Sequence, residues 1–472
     1  MKIALVAPPY GEIYGSFRKT LKYGFLNPPL SLGYLASSLE SKGHTVDMID
    51  AETMMLTNKS LSEILTRERY GLIGITATTP DFHKALELAK LIKERSDIHI
   101  VLGGMHATIF RKDILAENIY FDSLVVGEGE NTICELADSI ENKKDLKNIK
   151  SLIFRKGDEI AENELRQVEE NIDKFPFPSR NMMKNELYLR SIPKKGYVRT
   201  TAFMSSRGCP YKCIYCAIEK IPGSKKIRYR SPENIVEELD IIINKFGIKH
   251  ISFNDDVLTL NKERMYEICR LIKKNGLKFT WEGLGRADNI DRELLLAMKD
   301  AGFIRISYGI ESGNEDILKM VQKGETLEEI RKAYEITKST GIVARGSMII
   351  GLPYETRKTV LNSFKFINSL KGLDQVIINI ASPYPGTKLR DMVLDGTGGT
   401  KLLTKGLSDL RRFDNAVISV NDLEPNDLIK LQKKGLLGFY LRPHIVIRNL
   451  QINHWRSFFI DSTLFIRSIF GI

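Results

Sequence analysis

The sequence lacks any run of about 18 uncharged apolar residues, which is the length that a membrane-spanning helix needs. It contains only five cysteines and two tryptophans among its 472 residues. Five cysteines in so long a chain cannot form the dense disulfide framework of a small secreted domain. The first residues form a strand-like segment without the pattern of a secretory signal, so we expect a cytoplasmic protein. Internal repeats are also absent, which excludes repeat architectures.

The composition is that of a folded protein, since 43% of the residues are hydrophobic and 27% are charged. At about 150 residues per domain, the length corresponds to about three domains. The net charge is +11, and basic residues far outnumber acidic ones in residues 430–472. A nucleic-acid-binding domain spreads its positive charge over one folded surface, and no such stripe is visible here. An RNA-binding or RNA-modifying protein is therefore kept only as an alternative hypothesis.

Residues 1–140 alternate between short apolar segments and amphipathic ones. We predict strands at 3–7, 45–49, 72–77, 99–102 and 123–126, with helices at 31–42, 81–93 and 109–117. This alternation predicts a doubly wound, Rossmann-like parallel sheet, which binds ligands at the carboxyl ends of its strands. Candidate ligand contacts at those ends are Pro8, Thr78, Thr79, Gly103, Gly104, Gly127 and Glu128. The alternative, that these residues merely terminate strands, stays open.

The rest of the chain contains a second strand–helix region. Residues 141–194 form a predicted connector with a hairpin at 151–160, followed by prolines that favour an extended segment. Residues 195–395 contain predicted strands at 201–205, 250–254, 278–281, 305–308, 343–350 and 375–381. Six such units predict a partial (β/α)6 barrel, in which active sites lie at the carboxyl ends of the strands. Residues 396–472 form a basic, aromatic-rich and mostly helical C-terminal region.

Three of the five cysteines, Cys209, Cys213 and Cys216, follow the first strand of this barrel with the spacing C-x3-C-x2-C. Structural zinc sites and ferredoxin clusters use four protein ligands, and the other two cysteines are isolated in helical segments. Three thiolates in one loop can hold a cubane [4Fe-4S] cluster and leave one iron open to a substrate. The alternative is a zinc site that a distant histidine completes.

This motif, with the aromatic Tyr215 inside it, resembles the radical S-adenosylmethionine superfamily. In that family the open iron binds S-adenosylmethionine, and one electron cleaves it to a 5′-deoxyadenosyl radical. The segments after the later strands are also similar to those of the family: 254–256, 309–313, 346–355 and 383–387. The resemblance implies that further side chains bind S-adenosylmethionine: Asn254, Asp255, Asp256, Arg286, Glu311, Ser312 and Gly351. The alternative is that Asp255, Asp256 and Glu311 only cap helices.

The N-terminal half resembles the cobalamin-binding members of this superfamily, in which a Rossmann-like domain precedes the radical barrel. The similar segments are Pro8-Pro9, 27–35, 103–108 and 127–130. The Asp-x-His-x-x-Gly signature of classical cobalamin domains is absent, so no histidine can be assigned as the lower ligand of cobalt. His106 is the alternative ligand, although a role at a helix start or near a phosphate is favoured.

The resemblance implies a cobalamin-dependent radical enzyme, most simply a methyltransferase that acts on an unactivated carbon. A cyclase or a carbon–carbon bond-forming enzyme with the same cofactors is the alternative. The expected partners are a small-molecule or lipid-like substrate and an electron donor such as flavodoxin or ferredoxin. Aromatic residues and arginines alternate after Leu428, which also predicts peripheral membrane contact. A helical subdomain packed on the barrel is the alternative for this tail.

Overall fold

The computed structural model describes residues 1–11, 26–404, 406–411 and 415–452. The chain divides into two compact units. The first contains the N-terminal strand, Asn27–Lys184 and Ala217–Ser224, and the second contains Asn185–Cys216 and the chain from Lys225 onward. The segment that follows the last motif cysteine therefore returns to the first unit.

The first unit is built on a seven-stranded sheet with the order β2-β1-β3-β4-β5-β6-β7. Its strands are β1 Lys2–Ala7, β2 Thr45–Asp50, β3 Leu72–Thr76, β4 His99–Gly103, β5 Ser123–Val125, β6 Leu152–Lys156 and β7 Glu159–Glu162. Its helices are α1 Leu30–Ser41, α2 Asn58–Arg67, α3 Phe82–Lys93, α4 Met105–Phe110, α5 Lys112–Glu117 and α6 Glu130–Glu141.

The five predicted strands of this unit are all present, and they pair in parallel. They are apolar throughout because helices cover both faces of the sheet. The hairpin predicted within the connector 141–194 is present as β6–β7. It is part of the first sheet and not of a separate connector, because β6 pairs antiparallel with β5 and its apolar residues complete the core there.

The second unit is built on another seven-stranded sheet, with the order β16-β15-β14-β13-β12-β9-β8. Its strands are β8 Leu189–Ile192, β9 Gly196–Phe203, β12 His250–Phe253, β13 Thr280–Gly285, β14 Phe303–Glu311, β15 Val343–Ile350 and β16 Leu373–Ile380; the short β10 Ser206–Arg207 and β11 Arg228–Tyr229 pair separately. Six of these strands are parallel and form the predicted half-barrel: β9, β12, β13, β14, β15 and β16.

The helices of this unit are α7 Pro232–Asp240, α8 Lys262–Lys274, α9 Arg292–Asp300, α10 Glu315–Met320, α11 Leu327–Thr340, α12 Arg357–Ser369, α13 Lys388–Leu394, α14 Pro425–Tyr440 and α15 Pro443–Ile452. Several begin at a side chain that accepts a hydrogen bond from the first turn: Ser231, Asn261, Asp291, Thr326, Thr356 and Thr387. The helices pack on the outer face of the sheet and form the largest core cluster with it.

The C-terminal region is mostly helical in its described residues, as predicted, and it also contains one short pair of strands. Strands β17 Thr400–Leu402 and β18 Ile418–Val420 pair antiparallel before α14 begins. Helix α14 then covers the edge of β16. Gln432 donates to the carbonyl oxygen of Ile378, and the Tyr440 hydroxyl bonds both backbone groups of Val376. An exposed strand edge is thereby satisfied by side chains.

No helix within the described residues is both long and apolar enough to cross a membrane. The aromatic residues between 455 and 470, on which the membrane prediction rests, lie outside the described residues.

The contact between α14 and β16 predicts opposite effects for two alanine substitutions. A Cβ on Gly435 would lie 2.6 Å from Ile378 and 2.7 Å from Phe364, whereas Gly438 has nothing within 4 Å. Alanine in a helix is favoured over glycine by about 1 kcal/mol, and overpacking costs about 1–3 kcal/mol. We expect Gly438→Ala to stabilise the protein and Gly435→Ala to destabilise it in urea unfolding. Equal stabilisation by both would contradict this packing.

Candidate active site

The three motif cysteines lie in the loop that leaves the carboxyl end of β9. Cys209 and Cys213 are partly buried and Cys216 is exposed, and none of the three forms a disulfide. Burial raises the pKa of the Cys209 thiol and of the Cys213 thiol. Two groups oppose this effect: the backbone N–H of Tyr211 at Cys209 and the hydroxyl of Tyr215 at Cys213. Hydrogen bonds to sulfur of this kind stabilise thiolates.

A buried carboxylate, Asp255, holds the start of this loop. Its oxygens accept the backbone N–H of Ser205 at 3.1 and 3.2 Å and the Ser205 hydroxyl at 2.7 Å. The Ser206 hydroxyl donates to it as well. Asp255 is 1% exposed. These hydrogen bonds position the loop, and the contact of Asp255 with S-adenosylmethionine stays a prediction.

Arg286 holds the middle of the loop. Its guanidinium stacks on the ring of Tyr211 at 3.5 Å and binds Asp288 through two hydrogen bonds of 3.0 and 2.8 Å. It also lies 3.5 Å from Glu325. Two protein carboxylates therefore flank Arg286, and its contact with the carboxylate of S-adenosylmethionine stays a prediction.

The end of the loop is held by Tyr215 and Glu311. The Tyr215 hydroxyl hydrogen-bonds with Cys213 and Glu311, and burial next to Glu311 raises its pKa well above the usual value. Glu311 also lies 3.5 Å from Lys323, and its φ is +59°. A bulky residue rarely adopts this left-handed backbone, and such strain concentrates at functional sites. The sequence did not single out Lys323, because its pairing arises only from the fold.

The remaining predicted residues of this unit differ in access. Asn254 and Asp256 are exposed beside the motif loop. Ser312 is 0% exposed and its hydroxyl lies 3.3 Å from the Ser363 hydroxyl, and its contact with a cofactor stays a prediction. Gly351 has a φ of +85° and donates its N–H to Glu355 at 2.7 Å. Burial raises the pKa of Glu355, which the sequence analysis did not select, to about 8.

The three motif cysteines differ from a structural zinc site in their number, because such a site takes four protein ligands. Among the described residues, three ligand atoms lie within 4.8 Å of one another at His44, Asp138 and Glu141, and the cysteines are not part of such a group. Three thiolates in one loop fit a polynuclear cluster, in which each thiolate binds a different iron.

The other two cysteines have a different environment. Cys134 and Cys269 are buried, at 6% and 2% exposure, in separate apolar clusters. Burial raises the pKa of Cys134 to about 11 and that of Cys269 to about 12. Both therefore stay protonated and act as small hydrophobic residues.

The first unit has its own crevice at the carboxyl ends of its strands. In the sheet order β2-β1-β3-β4-β5, the strands that follow β1 are added first on one side of it and then on the other. The order therefore reverses between β1 and β3, which is where such sheets bind ligands. Thr78 and Gly104 are exposed here, whereas Pro8 is buried. A Cβ on Gly103 would meet nothing within 4 Å, while one on Gly104 would lie 2.6 Å from the carbonyl oxygen of Ala77. Gly103 therefore borders open space that a ligand can approach.

Two predicted contacts of this crevice, His106 and Thr79, are buried. His106 is 2% exposed, and its ring stacks on Phe82 at 3.9 Å and lies 4.4 Å from Phe110. Burial lowers its pKa to about 4, so it is a neutral core residue near the start of α4. Thr79 is 5% exposed and its hydroxyl lies 3.4 Å from Nδ1 of His106. Neither side chain has the free surface that a bound cofactor needs.

The last two predicted contacts follow β5. Gly127 and Glu128 are partly exposed, and the N–H of Gly127 donates to the Thr108 hydroxyl at 3.0 Å.

His44 lies at the other edge of the sheet, directly before β2, where Nε2 is 3.2 Å from Asp138. It belongs to an ion-pair cluster far from the strand ends that form the crevice.

Comparisons with known proteins find a family match in each half of the chain. A family model described as the radical SAM superfamily matches residues 203–367, and a model described as the B12 binding domain matches residues 20–137. The anaerobic magnesium-protoporphyrin IX monomethyl ester cyclase of Rubrivivax gelatinosus is 28% identical over 377 residues, which cover 77% of this chain and 65% of the cyclase.

The structure is similar to that of TsrM, a radical S-adenosylmethionine methyltransferase from Kitasatospora setae. The TM-score is 0.71 at 18% identity, and the match covers 91% of this chain and 90% of TsrM. An uncharacterised methyltransferase of Pyrococcus horikoshii is 33% identical over 455 residues, which cover 96% of this chain and 95% of that protein. With such a relative and both domain matches, the chain belongs to the radical SAM superfamily, among its cobalamin-dependent enzymes.

Proposed function

We propose that this protein is a methyltransferase that transfers a methyl group from cobalamin to an unactivated carbon of a small molecule. The observation that carries the proposal is the set of three cysteines, none of them in a disulfide, in the loop at the carboxyl edge of a half-barrel. The names of the relatives from Pyrococcus horikoshii and Kitasatospora setae support methyl transfer. When bound, a [4Fe-4S] cluster would supply the electron that cleaves S-adenosylmethionine, and cobalamin would supply the methyl group.

In this proposal Cys209, Cys213 and Cys216 hold the cluster. Tyr215 positions Cys213 through its hydroxyl, and Asp255 positions the start of the loop through Ser205. The exposed Asn254 and Asp256 and the backbone at Gly351 contact S-adenosylmethionine. All of these groups lie at the ends of parallel strands, so the fold brings them together without any movement of the sheet.

In the first unit, the proposal assigns cobalamin to the crevice between β1 and β3. Backbone at Pro8, Gly103 and Gly104 and the exposed Thr78 would border it, with Gly127 and Glu128 beyond. No histidine ligand to cobalt is proposed, because His106 and His44 are both buried and engaged. Glycines allow a bulky ring to approach the backbone closely.

The alternative is a cyclase, which the relative from Rubrivivax gelatinosus supports by its name. A methyltransferase adds one methyl group to its substrate, whereas a cyclase removes hydrogens. Mass spectrometry of small-molecule extracts after reaction with the reconstituted enzyme and deuterated S-adenosylmethionine separates the two. Incorporation of the labelled methyl group is the expected result, and a product that has lost hydrogen without label would overturn the methyltransferase.

We expect Cys209→Ala, Cys213→Ala and Cys216→Ala each to abolish both iron–sulfur absorbance and cleavage of S-adenosylmethionine. Each variant removes one of the three thiolates, and no spare cysteine is near. Anaerobic reconstitution with dithionite as the reductant and 5′-deoxyadenosine as the measured product tests this.

The matched controls are Cys134→Ala and Cys269→Ala, which remove buried thiols of equal size. Both controls should retain full cluster content and cleavage. A Cys213→Ala protein that still cleaves S-adenosylmethionine at the wild-type rate would refute the ligand assignment.

For the first unit, we expect Gly103→Leu to abolish cobalamin binding while the protein stays folded. The new side chain would extend into open space at the strand end, so it blocks a ligand and not the core. Absorbance titration with hydroxocobalamin measures the binding. Gly157→Leu changes a glycine with nothing within 4 Å in the β6–β7 turn and should bind cobalamin normally, although its φ of +62° adds local strain. Undiminished binding by Gly103→Leu would place the cofactor elsewhere.

An electron donor such as flavodoxin or ferredoxin belongs to this proposal, because the cluster must be reduced before each cleavage.

Peripheral membrane contact by the C-terminal tail is a further part of the proposal. Its support in the described residues is limited to three exposed apolar side chains on or beside α15: Leu441, Ile447 and Leu450. The buried face of α14 packs on β16 instead. Flotation of the full chain and of residues 1–427 with anionic liposomes tests this contact, and equal flotation would remove it.

A further inference from the structure

The inner face of the half-barrel, opposite the helices, is open along β14, β15 and β16. On β15 from Arg345 to Ile349 and on β16 from Gln375 to Asn379, every second residue is partly exposed and the residues between are buried. On β14, Ser307 and Gly309 are partly exposed, whereas Arg305 and Glu311 are buried. The partly exposed set is Ser307, Gly309, Arg345, Ser347, Ile349, Gln375, Ile377 and Asn379. In a closed barrel these inward positions form a packed core. Their exposure indicates a cavity that a substrate can enter.

This inner face carries more positive than negative charge. Glu282 on β13 is the buried carboxylate beside Arg190 and Arg305, and both of its oxygens already have arginine partners. Glu311, at the end of β14, pairs with Lys323 instead. Oε1 lies 3.2 Å from Nε of Arg190, and Oε2 lies 2.7 Å from Nη1 of Arg305. The neighbouring His250 is neutral, because burial lowers its pKa. One carboxylate therefore serves two guanidinium groups.

A third guanidinium group, that of Arg345 on β15, has no carboxylate within ion-pair distance among the described residues. Its Nε and Nη2 both donate to one oxygen, Oε1 of Gln375, at 3.3 and 3.2 Å. Burial, together with the nearby Arg305, lowers the pKa of Arg345 to about 10. It is still a cation at neutral pH. A partly buried cation without an anion is costly, and a bound anion would relieve that cost.

We propose that Arg345, with Gln375 beside it, binds an oxyanion of the substrate, either a carboxylate or a phosphate. This inference rests on the proposed function, since it assumes that the reaction takes place above this face. Guanidinium geometry suits either oxyanion through paired hydrogen bonds. Nearer the strand ends, Asn379 donates to Ser347 at 3.2 Å, and Ile349 and Ile377 add apolar surface. The substrate class is therefore an amphiphilic anion, with its acidic group directed down into the barrel.

Ligand-observed NMR on the purified full-length chain tests the subsite with three probes of equal chain length: hexanoate, hexyl phosphate and hexanamide. We expect saturable millimolar binding of at least one anion and clearly weaker binding of the amide. Preference for hexanoate or for hexyl phosphate identifies the oxyanion. Arg345→Met should lower the affinity for the anion by about tenfold or more, which is the usual effect of losing one charge-assisted hydrogen bond.

Three variants complete the test. Arg345→Lys keeps the charge and should retain part of the affinity, while Arg345→Gln should behave as Arg345→Met does. Arg270→Met removes an arginine from the outer helix α8, where its side chain is 58% exposed, and should not change binding. Circular dichroism of each variant reports folding.

Equal binding of hexanamide and the anions, no saturable binding of either anion, or wild-type affinity in folded Arg345→Met would overturn the subsite. None of these measurements requires a cluster or cobalamin. A protein that binds hexanoate through Arg345 but fails to cleave S-adenosylmethionine would refute the proposed function and leave the subsite intact.

Discussion

The hydrogen bonds between Asp255 and Ser205 fix the start of the cysteine loop on the sheet of the second unit. Asp255 follows β12, and the loop it holds leaves the neighbouring strand β9. Parallel pairing puts the two strand ends side by side, which makes the contact possible. This one buried carboxylate sets the position from which the cysteine loop starts at Ser205. The later contacts, at Arg286 and Glu311, hold a loop whose starting point is already set.

Much of the architecture could be predicted because parallel sheets follow a simple pattern. Buried strands appear as short apolar runs, and their carboxyl ends always meet at one edge. The order of segments along the chain therefore predicted which loops surround each site. The hairpin β6–β7 was assigned to a connector because nothing in its own sequence indicates that β5 would be its partner.

Side-chain direction at the strand ends could not be predicted in the same way. Asn254, Asp255 and Asp256 are consecutive, yet the first and last are exposed and the middle one is buried. Local sequence does not determine which of three adjacent polar residues turns inward, because that depends on unpaired N–H groups in a loop about fifty residues earlier. Thr79 and His106 illustrate the same limit, since they satisfy each other within the core.

The arginines of the inner face were present inside predicted strands but were not interpreted. Arg305 and Arg345 occupy alternate-register positions in otherwise apolar runs, where a buried charge is unfavourable unless it has a function or a partner. Arg305 has its partner in Glu282, and within the part of the chain that the structure describes Arg345 bonds only an amide. A cofactor site recurs across a superfamily and is found by its motif. A substrate site is specific to one enzyme, and its signal is a charge that the fold leaves uncompensated.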